Sequence, residues 1–179
     1  MSQIETQHLI LRNWEEKDYL DFHEIMSDKK VAQCSGTRII SAIEESKHCV
    51  QEFMNSSTSY AIVLKASNKV IGSIGFDDFI PENSSDNLKH RYIGYTLSSS
   101  YWRKGYGTEA AKALISFLFN SEKVNVIWSS HYDFNDASKG VIKNCGLKYH
   151  YSKFKVIKAL NNKKVEELFY SIKSQEPLS

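Results

Sequence analysis

The chain has 179 residues, 41% hydrophobic and 25% charged, with a formal net charge of +2. That suits a single domain over 1–179 and excludes a long disordered protein. It also argues against general nucleic-acid binding, which wants a larger positive excess. No apolar run nears the roughly 18 residues of a bilayer span; the richest, Ala110 to Phe119, is broken by Lys112 and Ser116. Met1–Glu5 lacks the basic start and apolar core of a signal peptide. Three cysteines (Cys34, Cys49, Cys145) and six scattered histidines show no CxxC, HExxH or other ligand spacing. A cytoplasmic location, free thiols and no metal site are the expectation. Residues 1–80 carry 8 Lys/Arg against 12 Asp/Glu, and residues 81–179 carry 15 against 9. Either the second half meets an anion, or its lysines form a solvated face.

In chain order, His8–Arg12 reads as a short strand and Trp14–Met26 as a helix with acids in its first turn. Ser41-Ala-Ile-Glu44 has the capping-box form and opens a helix through Val50 and Phe53. Tyr60–Leu64 and Val70–Phe76 are strands of a hairpin around Lys65–Lys69, followed by a polar loop, Pro81–Asn87. Arg91–Leu97 is a strand whose Gly94 suggests a bulge or a close backbone approach. Ala110, Ala111, Leu114, Ile115, Leu118 and Phe119 recur at helical steps. Val124–Ser129 is a strand, and Asn135–Asn144 a short helix closed by Gly146. Leu147–Ile157 and Val165–Ile172 are strands joined around Asn161-Asn162. The order βααβββαβαββ describes an α/β (α+β) fold, a mixed sheet with helices on its faces.

The central feature is strand, Gly105-Tyr-Gly107, helix. A helix N-terminus offers unpaired N–H groups and about half a positive charge. Glycines let a phosphate approach the backbone, and Arg103 and Lys104 add charge at the rim. GxG alone is equally a turn that starts a helix. There is no GxxxxGK[ST] for a Walker loop. A Rossmann fingerprint belongs in an early βαβ unit, whereas this loop lies beyond mid-chain.

Ile93-Gly-Tyr-Thr-Leu-Ser98 followed by Tyr101-Trp-Arg-Lys-Gly-Tyr-Gly-Thr-Glu-Ala110 resembles the acetyl-CoA motif of the GNAT N-acetyltransferases. It is most similar to the branch of ribosomal-protein N-terminal acetyltransferases. Glu5–Arg12, Ala61–Leu64, Val70–Gly75, Asn135–Ser138 and Lys143–Lys148 extend the resemblance across nearly the whole chain. It implies a mostly antiparallel sheet of six to seven strands, splayed at the acetyl-CoA site and flanked by about four helices. The implied reaction is direct acetyl transfer from acetyl-CoA to a primary amine, a protein N-terminus or a small molecule, without a metal.

Leu97, Arg103, Lys104, Gly105, Tyr106, Gly107, Thr108, Asn135, Ser138 and Lys143 are then the expected cofactor residues. Ser138 would meet the thiol sulfur, and Asn135 the pantetheine amide. Both suit the cap and first turn of a helix equally well. Three positions depart from the family pattern. Trp102 fills a Gln/Arg place, as it commonly does in this branch. Ile142 stands where many members carry a proton-donating Tyr, and Tyr92 where a central-strand acid is frequent. His90 is the candidate base, against an ordinary loop histidine, with Asp77 and Asp78 as rivals. Cys145, just before a helix-ending Gly, is expected to be buried and inert. A non-catalytic CoA-binding or protein-interaction module on the same fold is the alternative reading.

Overall fold

The computed structural model describes residues 2–81 and 86–174, so most of the polar loop expected at Pro81–Asn87 lies outside it. Among the described residues are eight strands: β1 (Ile4–Glu5), β2 (Leu9–Arg12), β3 (Ser59–Leu64), β4 (Lys69–Asp78), β5 (His90–Leu97), β6 (Val126–Tyr132), β7 (Lys148–Ile157) and β8 (Lys163–Lys173). Five α-helices accompany them: α1 (Tyr19–Met26), α2 (Lys29–Ser35), α3 (Ile43–Asn55), α4 (Tyr106–Asn120) and α5 (Asp136–Asn144). The strands form one sheet in the order β1-β2-β3-β4-β5-β6-β8-β7. β5 and β6 pair in parallel; the other neighbours are antiparallel.

The expected six to seven strands and four helices become eight and five. The additions are the two-residue β1 and the seven-residue α2. Both are too short to show a hydrophobic period. The capping box expected at Ser41 does not form: α3 starts from Ala42 with no side-chain cap bond. A reciprocal box forms instead at Glu15 and Asp18, ahead of α1. Gly94 is no bulge, since the β4–β5 register runs unbroken. The close approach belongs to Gly72 on β4, paired with Leu97, where a Cβ would sit 2.3 Å from the Thr96 carbonyl.

Apolar side chains divide between the two faces. On one, α4 buries Ala110, Ala111, Leu114, Ile115 and Leu118 against Ile62, Ile74, Ile93 and Ile127 of the strands. On the other, Trp14, Phe22 and Val50 pack on Ala61, Val63 and Val70. Each such aliphatic side chain contributes about 1.5–3 kcal/mol by leaving water. The sheet is thereby clamped from both sides. α4 cannot shift without opening the core.

The N-terminal strands are tied to the start of α4 by Glu109. Its carboxylate accepts hydrogen bonds from Thr6 Oγ1 (2.6 Å) and the His8 amide (2.8 Å). Burial alone would raise its pKa, but the bonds from Thr6 and His8 hold it below the usual value. A lowered carboxylate pKa gives stability that is present above the unfolded value and lost as pH falls through the folded one. Glu109→Gln is therefore expected to cost about 1–2 kcal/mol in urea unfolding at neutral pH. The difference from the parent should shrink as pH falls below the usual glutamate range; a pH-independent difference would contradict the assignment.

Candidate active site

β5 and β6 are hydrogen-bonded only at His90–Val126, Arg91–Ile127 and Tyr92–Trp128. Beyond these three pairs the strands part. Ser129 Oγ–H donates to the Ile93 carbonyl at 3.1 Å, filling the first step of the gap. A strand residue sends its N–H and C=O to the same side, and sides alternate. The Tyr95 and Leu97 backbones therefore face the gap as Ile93 does. The Leu97 carbonyl is taken by the Trp102 indole at 2.8 Å, which fixes the turn into the glycine loop.

In that loop Arg103 (φ 60°) and Gly105 (φ 87°) are both left-handed, which turns the chain sharply into α4. The first bond back to the cap is Glu109 N–H to the Gly105 carbonyl, so the amides before it point out of the helix end. Gly105 has open space around a notional Cβ, whereas a Cβ on Gly107 would lie 3.3 Å from Val141. The two glycines serve different needs. Gly105 supplies a backbone shape, and Gly107 lets α4 close on α5.

The gap and the loop line one cavity of about 410 Å³, within the size range of small-molecule sites. Leu97, Arg103, Gly105, Tyr106, Gly107, Thr108, Asn135 and Ser138, eight of the residues singled out in the sequence, line it together. Lys104 and Lys143 are exposed and stand outside its walls; the Lys104 ammonium lies 5.1 Å over the Tyr101 ring. Asn135 caps α5 by accepting from the Ser138 amide at 3.0 Å, and its Nδ2 donates to the Cys34 carbonyl at 2.9 Å. α2 is held at its other end by Asp28, which caps it and accepts from the Ser99 hydroxyl. This short helix thus spans the opening. Its signals in the sequence are the Asp28 cap and Gly36, which ends it at φ 69°.

A second cavity of about 340 Å³ abuts the first and shares Cys34, Ser35, Tyr95, Thr96, Asn135 and Ser138 with it. Ser138 stands at the junction, its hydroxyl 3.2 Å from the Tyr95 phenol. Burial pushes the Tyr95 phenol up to about 12. Ile142 is 3% exposed and belongs to the core, so the hydroxyl beside Ser138 comes from a strand, where helix α5 has none to give. Cys145 is 1% exposed with its thiol pushed up to about 11 by burial, in line with an inert role.

His90 is not brought to either cavity. It lies at the closed end of the β5–β6 pair, accepting from the Trp128 indole at 2.9 Å on Nδ1 and meeting Asp86 at 2.9 Å on Nε2. Asp77 and Asp78 are exposed at the end of β4, and Asp78 pairs with Arg91. Among the described residues no group of three or more His, Cys, Asp or Glu side chains gathers as a metal site. No helix there is long and apolar enough to cross a membrane.

A mixed sheet that opens between two parallel strands, with a glycine-led helix at the opening, has the form of the GNAT acetyltransferases. The profile of the acetyltransferase (GNAT) domain matches residues 8–148, and the chain belongs to that family. Over 173 residues it is 24% identical to the uncharacterized N-acetyltransferase YnaD of Bacillus subtilis, covering 97% of this chain and 98% of that protein. A GNAT-family acetyltransferase from Bacillus anthracis has a similar structure (TM-score 0.84, 25% identity, 98% of this chain and 100% of that one). The fold is also that of RimL, a ribosomal L7/L12 α-N-protein acetyltransferase solved with coenzyme A (TM-score 0.76, 18% identity, 96% of this chain and 98% of that one).

The placement of His90 generates a stability expectation. His90→Ala leaves the Trp128 indole N–H without its acceptor in a buried setting, which costs about 1–3 kcal/mol. A urea midpoint equal to that of the parent would show that the bond carries no weight.

Proposed function

We propose that the protein transfers the acetyl group of acetyl-CoA to a primary amine, a protein N-terminus or a small-molecule amine, by direct attack. The observation that carries this reading is the continuity of the strand gap with the left-handed loop at Arg103–Gly105. A long ligand with an anionic end would lie along that path. The outward amides of Gly105–Thr108 and the Arg103 guanidinium suit its pyrophosphate. The Tyr95 and Leu97 backbone groups suit its pantetheine amides, and the Asn135 amide retains a lone pair and an N–H for the same purpose. Lys104 and Lys143 can serve only as outlying charges. Coenzyme A in the RimL structure supports the cofactor.

The acetyl carbonyl would reach the Ser138 junction, between the two cavities. A backbone N–H of the unpaired β5 edge, that of Tyr95, can steady the oxygen as charge develops on it. The Ser138 hydroxyl can donate to the departing sulfur. A thiol titrates near ~8.5, so its thiolate is too weak a base to take the proton of a phenol at about 12. Tyr95 therefore holds the Ser138 hydroxyl in place and keeps its own proton.

Acetyl-CoA at a hundred times its Kd is expected to add about 2.7 kcal/mol of stability, read as a rise in Tm that ATP and NAD do not reproduce. Gly105→Ala forces an L-residue into the left-handed region at about 1–2 kcal/mol and should weaken acetyl-CoA binding at least tenfold. Normal binding by this variant, or a shift with NAD alone, would contradict the cofactor assignment.

A further inference from the structure

The second cavity has polar walls: the hydroxyl-bearing residues Ser35, Thr37, Ser73, Tyr92 and Ser130 line it, together with one carboxylate residue, Glu167. Tyr92 occupies the place on β5 where an acid is frequent in the family pattern. Its phenol does not end there. Tyr92 OH lies 2.6 Å from Ser130 Oγ, and Ser130 in turn donates to Glu167 Oε1. Glu167 Oε2 meets the Lys155 ammonium at 2.9 Å, at the protein surface. The side chain of Glu167 is 14% exposed and that of Lys155 is 45% exposed. A hydroxyl chain therefore runs from the centre of the sheet to a carboxylate at the cavity wall, and from there to solvent.

We propose that Glu167, reached through Tyr92 and Ser130, is the carboxylate that draws in the ammonium of the acceptor and takes its proton, and that the acceptor is a hydrophilic primary amine. The proposal rests on the transferase reading for its chemistry. The proton balance is simple. The ammonium sheds two protons on becoming the amide, one before attack through the hydroxyl chain and one after it. The neutral amine forms its bond to the acetyl carbon, the carbon–sulfur bond breaks, and the sulfur leaves with the electron pair and takes the second proton through solvent. A nitrogen-bound proton passes to Tyr92, the Tyr92 proton to Ser130 and the Ser130 proton to Glu167, so each hydroxyl gives one and gains one. Glu167 then releases its proton to water beside Lys155.

The charges fit this order of events. Each carboxylate oxygen keeps a lone pair beyond its present partner, so Glu167 can take a proton while Lys155 stays in place. Lys155 donates to Glu167 Oε2 across the β7–β8 ladder. The titratable groups around Glu167 are Lys153 and Lys155 of β7, Tyr132 of β6, Tyr92 of β5 and Cys34 of α2. Burial raises the Tyr92 phenol above its ordinary value, which keeps it neutral and suited to relaying a proton instead of acting as the base.

Two readouts test this, one of which needs no turnover. Glycinamide, whose α-ammonium is the probe, is added to the CoA-bound protein carrying 13C-labelled glutamate. The Glu167 carboxyl signal, assigned through Glu167→Gln, should shift saturably with glycinamide and not with N-acetylglycinamide. Absence of that shift up to 100 mM, or a response confined to other glutamates, overturns the proposal. In turnover, Glu167→Gln should lower kcat/KM for glycinamide by about 10²–10⁴-fold while the Kd for acetyl-CoA changes less than twofold. The deficit should shrink above pH 8, where the α-amine is already neutral, and Glu167→Asp should restore part of the rate. A pH-independent loss shared by both variants would mean a structural role and would overturn the proton-taking step. If the parent turns over no amine but the Glu167 signal still responds, the transferase reading fails and the ammonium site stands.

Discussion

The parting of β5 and β6 after three paired residues is the constraint on which the rest depends. A parallel pair in mid-sheet normally saturates both edges. Here the unpaired β5 edge is kept open because both strands are anchored elsewhere: β5 to β4 over seven register pairs, β6 to β8 over seven. The Tyr92–Ser130 hydroxyl contact and the Ser129 bond to Ile93 tack the strands just above the fork. His90 and Trp128 lock it below. The gap is therefore a stable feature of the sheet, built by its neighbours.

Two helix N-termini converge on that gap from one face. α4 brings a run of outward amides through the left-handed turn at Arg103 and Gly105. α5 brings Ser138 to the point where the two cavities meet. From the other face α2 crosses the opening, tied through Asp28 to Ser99 in the turn after β5 and to α5 through the Cys34 carbonyl. The cavity at the glycine loop is lined mainly by backbone and apolar groups, while the adjoining one is lined by several hydroxyl-bearing residues and one carboxylate residue. That division matches a reaction between a large thioester and a small cation.

Much of this was legible in the sequence wherever a signal is local. The apolar steps of α4 and the alternating strands mark their own burial. Gly105-Tyr-Gly107 marks the loop, and Asn135 three residues before Ser138 marks a capped helix. What stayed hidden depends on pairing across the sheet. In sequence His90 reads as a candidate base and Tyr92 as a departure from the family pattern, Glu167 carries no signal, and only the register shows which residues meet. β6 sets Trp128 against His90 and closes it off, while it sets Ser130 between Tyr92 and Glu167. The missing acid of the central strand is compensated from β8, 75 positions further along the chain. α2 escaped because seven residues carry too little periodicity, although its Asp28 and Gly36 ends were visible.

The central claim is that acetyl-CoA lies along the β5–β6 gap and ends on the α4 loop. Amide hydrogen exchange with and without acetyl-CoA tests it most directly. The account predicts slowed exchange at Tyr95 and Leu97 and across Gly105–Thr108, with α1 and α3 unchanged. Protection confined to the separate basic cavity beside Lys29, Arg38 and Lys163, with the β5 edge unaffected, would contradict it.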